Sequence, residues 1–154
     1  MKISKKTDYA LRVLFTLVQR RAQGPISMAE LAHTNDVPKR FLEHIMLDMK
    51  KEGWVASTLG RNGGYVLAMP PEEITMGQVV RCFGGLLASP NGLSGSGDET
   101  ATQSPTYPFR RVLREVRNMA AKYMDNATLA RLCGTDPVKS DKTISPGVAD
   151  GEGI

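Results

Sequence analysis

The stretch that leaves this chain the fewest options is Leu59-Gly60-Arg61-Asn62-Gly63-Gly64, which lies between Trp54-Val55-Ala56-Ser57-Thr58 and Tyr65-Val66-Leu67-Ala68. The flanking runs are rich in β-branched and aromatic residues, and Asn-Gly-Gly accepts the positive φ of a tight antiparallel connection. They read as two strands of a hairpin. Upstream, Ala10, Val13, Leu14, Leu17 and Val18 recur at i, i+3, i+4, i+7 and i+8, which predicts a helix over about 4–21, ended by Gly24-Pro25. Ser27-Met28-Ala29-Glu30 has the form of a capping box, in which the serine caps exposed amides and the glutamate reaches back. It opens a short helix through Leu31 and Ala32 that ends near Thr34-Asn35-Asp36. Pro38 suits a first helical position, and Phe41, Leu42, Ile45, Met46 and Met49 continue at helical spacing to Gly53. Three helices, the last two joined by a tight polar turn and followed by a hairpin, make a winged helix-turn-helix.

The rest of the chain divides by composition. Residues 1–68 form the expected winged domain, and 69–83 a short connecting helix after Pro70-Pro71. Residues 84–108 are a Gly/Ser/Thr/Pro-rich flexible loop, 109–133 a second helical region, and 134–154 a disordered tail. In the helix expected over about 109–124, Phe109, Val112, Leu113, Val116, Met119, Ala120 and Tyr123 share one broad face. A small winged domain has little chain with which to cover that face. Burial against a second copy is the simplest solution, giving a homodimer; packing across the first helix of the same chain is the alternative. The expected fold class is therefore mostly α with a small β-hairpin: a winged helix-turn-helix plus a long C-terminal dimerisation helix.

Charge is concentrated where the helix-turn-helix lies. Residues 1–65 hold 11 Lys/Arg against 6 Asp/Glu, while 135–154 are net acidic, and the whole chain carries +4. A basic N-terminal half points to an anionic partner, with double-stranded DNA the expected one. Lys39, Arg40, Phe41, Glu43 and His44 fall at the start of the third helix, the part of a recognition helix that meets base edges. Arg40 is the candidate guanine reader, because a guanidinium pairs bidentately with O6 and N7. Glu43 would accept from a cytosine amino group or orient Arg40. Arg61, Asn62 and Gly63 at the hairpin tip suit a narrow minor groove or a phosphate. Lys2, Lys5 and Lys6 before the first helix, and Ser27 at the second, suit phosphates.

Several separated blocks follow one known pattern: Lys2-Ile3-Ser4 with Thr7-Asp8-Tyr9-Ala10-Leu11-Arg12, Phe41-Leu42-Glu43, and Gly53-Trp54-Val55. The most specific are Gly60-Arg61-Asn62-Gly63-Gly64-Tyr65-Val66-Leu67 and Pro70-Pro71-Glu72-Glu73-Ile74-Thr75-Met76-Gly77. In these blocks the chain resembles the Rrf2 family of winged-helix transcriptional regulators. The resemblance is close over about 1–83 and loose over 109–133. It implies the fold, DNA binding and dimerisation. It also implies, for members with three cysteines in the loop before the dimerisation helix, an iron–sulfur cluster. Here residues 84–108 contain no cysteine. The expectation is a repressor at an inverted-repeat operator, working without a cluster and answering to a small-molecule or protein effector.

Cys82 and Cys133 are the chain's two cysteines, too few for a disulfide scaffold or a four-thiolate site. They are expected as small hydrophobes, buried or semi-buried, with a redox role as the alternative. His33 and His44 have no zinc-ligand spacing with either, and no metal is expected. No nucleophile–base set, paired-carboxylate motif or phosphate-binding loop suggests an enzyme. No run approaches the ~20 apolar residues of a membrane helix, and no signal-type apolar region follows the N-terminus, so the expected location is the cytoplasm. Two other function classes compete with the regulator. One is a winged-helix protein-interaction module with an acidic partner, and the other a redox or nitric-oxide sensor whose cluster ligands are shared across a dimer.

Overall fold

The computed structural model describes residues 3–84 and 108–134, so the expectations for most of the 84–108 loop and for the tail lie outside the described residues. The element order is α1 (Lys5–Gln19), one 3₁₀ turn (Arg21–Gln23), α2 (Met28–Asn35), α3 (Lys39–Lys51), β1 (Val55–Thr58), β2 (Gly64–Leu67), α4 (Met76–Phe83), α5 (Pro108–Asp125) and α6 (Leu129–Leu132). The described residues are mostly helical with one antiparallel hairpin among them, in the register Val55↔Leu67, Ala56↔Val66, Ser57↔Tyr65 and Thr58↔Gly64.

The core forms where the periodicities converge. Ala10, Val13, Leu14, Leu17 and Val18 of α1 are buried against Leu31 of α2 and Leu42, Ile45, Met46 and Met49 of α3. The core does not stop at residue 68. Ile74, Val79 and Phe83 around α4, and Leu129 at the start of α6, belong to the same cluster. Trp54 is buried beneath the hairpin, its ring edge-on to Phe83 at 6.4 Å.

Helix ends account for two differences from the sequence reading. Ser27 Oγ accepts the Glu30 amide at 3.2 Å, but the Glu30 carboxylate pairs with Arg20 at 2.6 Å instead of reaching back. The complete capping box is at α4: Thr75 Oγ1 accepts from the Gln78 amide at 3.2 Å, and Gln78 Oε1 from the Thr75 amide at 2.8 Å. Pro38 is the N-cap residue of α3, not its first helical one.

Two sets of contacts fasten the later helices to the winged domain. The hydroxyl of Ser4 donates to the Phe83 carbonyl at 3.2 Å, and that of Thr7 to the Gly84 carbonyl at 2.6 Å, so the start of α1 holds the end of α4. The α5–α6 turn is joined by backbone bonds to the segment before α4: Met76 N–H to Ala127 C=O, Leu129 N–H to Ile74 C=O and Ala130 N–H to Pro71 C=O, at 2.8, 2.8 and 3.1 Å. Gly77 lets the helices meet here, because a Cβ would strike the Asp125 carboxylate, which pairs with Arg81 at 2.6 Å.

Candidate nucleic-acid interface

The turn between α2 and α3 is built by Asp36, the one non-glycine residue at positive φ among the described residues (φ 52°, ψ 50°). A left-handed residue closes a helix C-terminus, and an acidic side chain tolerates it better than a β-branched one. Val37 behind it is buried. The angle of α2 on α1 is set by a buried polar pair. Thr16 Oγ1 donates to Asn35 Oδ1 at 2.9 Å, and Asn35 Nδ2 donates to the Leu31 carbonyl at 2.9 Å. Removing the Thr16 hydroxyl would strand Asn35 Oδ1, at a cost of about 1–3 kcal/mol, whereas without Asn35 the hydroxyl keeps the Arg12 carbonyl at 3.1 Å.

On α3, one face carries Leu42, Ile45, Met46 and Met49 inward, and the other turns Lys39, Arg40, Glu43 and His44 to solvent. Phe41, counted with the apolar spacing of the helix, is not in the core: it is 56% exposed, its ring edge-on to Tyr9 at 6.4 Å. Among the described residues, Lys39 and Arg40 have no side-chain hydrogen bond or ion pair within the chain, leaving both cations available to an anion. Lys50 is committed instead, donating to Ser57 Oγ at 2.8 Å and tying the end of α3 to β1.

The wing departs from its expected turn chemistry. The positive φ falls on Gly60 (113°), not on Asn62 or the glycine pair. Gly63 and Gly64 are needed for a different reason, the space a Cβ would occupy. One on Gly63 would strike the Thr58 carbonyl, and one on Gly64 the backbone of Ile26. Ile26 pairs with Tyr65 through two backbone hydrogen bonds, Ile26 N–H to Tyr65 C=O at 3.0 Å and the reverse at 2.8 Å, which docks the wing on the chain entering α2. Arg61 and Asn62 stand exposed at the tip.

The phosphate candidates separate. Lys5 is exposed at the first residue of α1, and Ser27 is exposed with its oxygen accepting as a cap; Lys2 lies outside the described residues. Lys6 faces inward along α3. Its ammonium donates to Asp48 Oδ2 at 2.8 Å and lies 5.4 Å from the centre of the Phe83 ring. That hydrogen bond holds the Asp48 carboxyl below its ordinary range, outweighing partial burial, which pushes the other way. The stabilisation is present above the ordinary carboxylate pKa and is lost as pH falls through the lowered one. Sequence reasoning passed over Tyr9 and Arg12. The Arg12 guanidinium lies 5.9 Å from the Tyr9 ring and pairs with Asp8 at 2.6 Å, a link the i, i+4 spacing of Asp8 and Arg12 would have flagged.

The apolar face of α5 lies open. Phe109, Val112, Val116, Met119 and Tyr123 are exposed by more than half, Leu113 by 39%, and Ala120 is half-buried. Only Met124, near the C-terminal end, is buried. The cysteines differ from the expectation of two covered thiols. Cys133 is half-buried and packs on the core, but Cys82 is exposed. Desolvation pushes both thiols up; at Cys82 the carboxylates of Glu52 and Asp48 add to it, and only Lys6 opposes. A cluster held by thiolates takes four of them, or three with another ligand. Two cysteines on separate elements do not supply that set within one protomer. Among the described residues, no three His, Cys, Asp or Glu side chains converge as a metal site, and no helix is long and apolar enough to cross a membrane.

A basic recognition helix on a helix-turn-helix scaffold, with a wing beside it, defines a winged-helix DNA-binding protein. The sequence pattern of the Rrf2 family, described as an iron-dependent transcriptional regulator, matches residues 3–135, and the chain belongs to that family of non-enzymatic transcriptional regulators. It is 42% identical over 89 residues to an Rrf2-like helix-turn-helix regulator of Rhodobacter capsulatus, a match spanning 56% of this chain and 59% of that relative. It is 30% identical over 132 residues to the regulator CymR of Bacillus subtilis, spanning 86% and 89%. The solved structure of CymR, the global cysteine regulator of B. subtilis, superimposes with a TM-score of 0.68 at 28% identity, covering 89% of this chain and 99% of that one. IscR of T. potens does so with a TM-score of 0.69 at 26% identity, covering 93% and 94%.

Proposed function

We propose that this protein is a homodimeric, sequence-specific repressor that binds an inverted-repeat operator in the cytoplasm without an iron–sulfur cluster. The observation that carries this reading is the pairing of two surfaces on one chain. Among the described residues Lys39 and Arg40 stand without partners on α3, in the same domain as the Arg61-Asn62 wing, and α5 carries an apolar stripe in which Val112, Val116, Met119 and Tyr123 are more than half exposed. Two copies joined along α5 would present two recognition helices to successive turns of a duplex, which calls for two-fold symmetry in the DNA. Lys39, Arg40, Phe41, Glu43 and His44 would read the major groove, Arg61, Asn62 and Gly63 the minor groove, and Lys5 and Ser27 phosphates. Lys6 would contribute through Asp48. The signal, a small molecule or a protein, would act by changing how the α5 helices pair.

The test is selection from a random duplex pool by protein purified without oxygen and then exhaustively chelated. The expected result is one inverted repeat, bound with an affinity that falls steeply with salt and is indifferent to chelation. A brown protein whose affinity changes sharply on metal removal would restore the iron-dependent reading, and a protein that selects no sequence would favour the protein-interaction module. Arg40→Ala should weaken the selected operator by about 1–3 kcal/mol and relax preference at one position per half-site. Equal weakening on random DNA would make Arg40 a phosphate contact.

A further inference from the structure

We propose that Phe41 reads the C5-methyl group of a thymine in the major groove, with Tyr9 as the residue that positions its ring. The inference rests on the DNA-binding reading above and deepens it.

Phe41 is the anomaly of its surface. It lies on the first turn of α3, 56% exposed, among Lys39, Arg40, Glu43 and His44. Leu47 is equally exposed, but it lies about 240° around the helix from Phe41, on another face. The Phe41 ring is also not free to swing. It meets Tyr9 edge-on, with centroids 6.4 Å apart and planes at 70°, the arrangement aromatic quadrupoles favour. Tyr9 has the Arg12 guanidinium 5.9 Å from its ring, and Arg12 is pinned to Asp8 at 2.6 Å. Asp8, Tyr9 and Arg12, at i, i+1 and i+4 of α1, thus brace one apolar side chain on α3, at a point where it has no core to fill.

The chemistry of that side chain narrows what it can meet. A phenyl ring has no hydrogen bond to offer a phosphate or a base edge, and the apolar group that B-DNA exposes in the major groove is the thymine methyl. The first turn of a recognition helix is the part that reaches base edges. The adjoining cations on the first turn of α3, Lys39 and Arg40, complement the phosphates on either side of such a base and would be a poor border for an apolar protein partner.

The experiment uses operator duplexes selected as above, remade with deoxyuridine in place of each thymine in turn, which deletes the methyl group and leaves every hydrogen-bonding edge unchanged. At one thymine in each half-site the wild-type protein should lose about fourfold in affinity, the equivalent of burying one methyl group. Phe41→Ala should bind thymine and uracil duplexes alike. Tyr9→Leu should remove most of the discrimination while Tyr9→Phe keeps it, the reverse of what a phenolic hydroxyl on a phosphate would give. A wild-type protein that binds every uracil duplex as tightly as the parent, or a Phe41→Ala protein that still discriminates, overturns the proposal while leaving DNA reading intact. A protein that selects no sequence at all overturns both. The wild-type arm depends on no variant's folding.

Discussion

Gly64→Ala should destabilise the domain by at least about 3 kcal/mol, because the new methyl group has to enter space held by main chain. The obstacle is the Ile26 backbone, which cannot step aside without giving up its two hydrogen bonds to Tyr65. Either the bridge opens and the wing leaves the chain before α2, or the strand slides and loses its pairing with β1. Urea unfolding followed by the fluorescence of Trp54, the only tryptophan, reads the loss directly. Arg61→Ala, at the exposed tip of the same loop, should stay within about 0.5 kcal/mol of wild type. Wild-type stability in Gly64→Ala would show that the bridge has slack.

Val116→Glu should abolish the proposed dimer without unfolding the protomer. Val116 is 57% exposed within one chain, so the carboxylate costs the isolated fold little. In a paired α5 interface a carboxylate from each copy would be buried in an apolar seam without a partner. Sedimentation should report a monomer. Affinity for the full operator should fall by about 10²–10⁴, the avidity gained when the second half-site binds intramolecularly, while affinity for a single half-site holds. A Val116→Glu protein that remains dimeric would locate the interface elsewhere.

The sequence carried those parts of the fold in which one residue has one role. The α1 stripe from Ala10 to Val18 is read from spacing alone, because a helix face that buries five aliphatic residues leaves no polar compromise in the pattern. The hairpin was legible as a hairpin, but its mechanics were not. Asn62-Gly63-Gly64 suggests a turn that needs positive φ, whereas the two glycines are there to let other main chain approach, and Ile26 is far away in sequence. Glu30 has the spacing of a capping box, yet Arg20 stands closer to its carboxylate, a competition invisible until α1 and α2 are packed. The reach of the core into Ile74, Val79 and Leu129 was missed for a similar reason. Short segments between prolines and glycines show little periodicity, and their burial depends on backbone bonds such as Met76 to Ala127. At the candidate interface, spacing placed Phe41 with the apolar face of α3. It lies on the border of that face, where a shift of one residue around the helix decides between core and surface.

The grip of Ser4 and Thr7 on the last carbonyls of α4, together with the backbone bonds joining 71–76 to 127–130, has a consequence for the DNA. The base of α5 and the reading helix belong to one packed body, so pairing two copies along α5 would also fix the distance and the rotational phase between their reading helices. Such a protein measures its site as a rigid caliper does. One base pair added between the half-sites turns the second by about 34° around the duplex axis and lengthens the span by one step. With these bonds opposing that turn, operator spacing would be as much a part of the recognised message as the bases themselves.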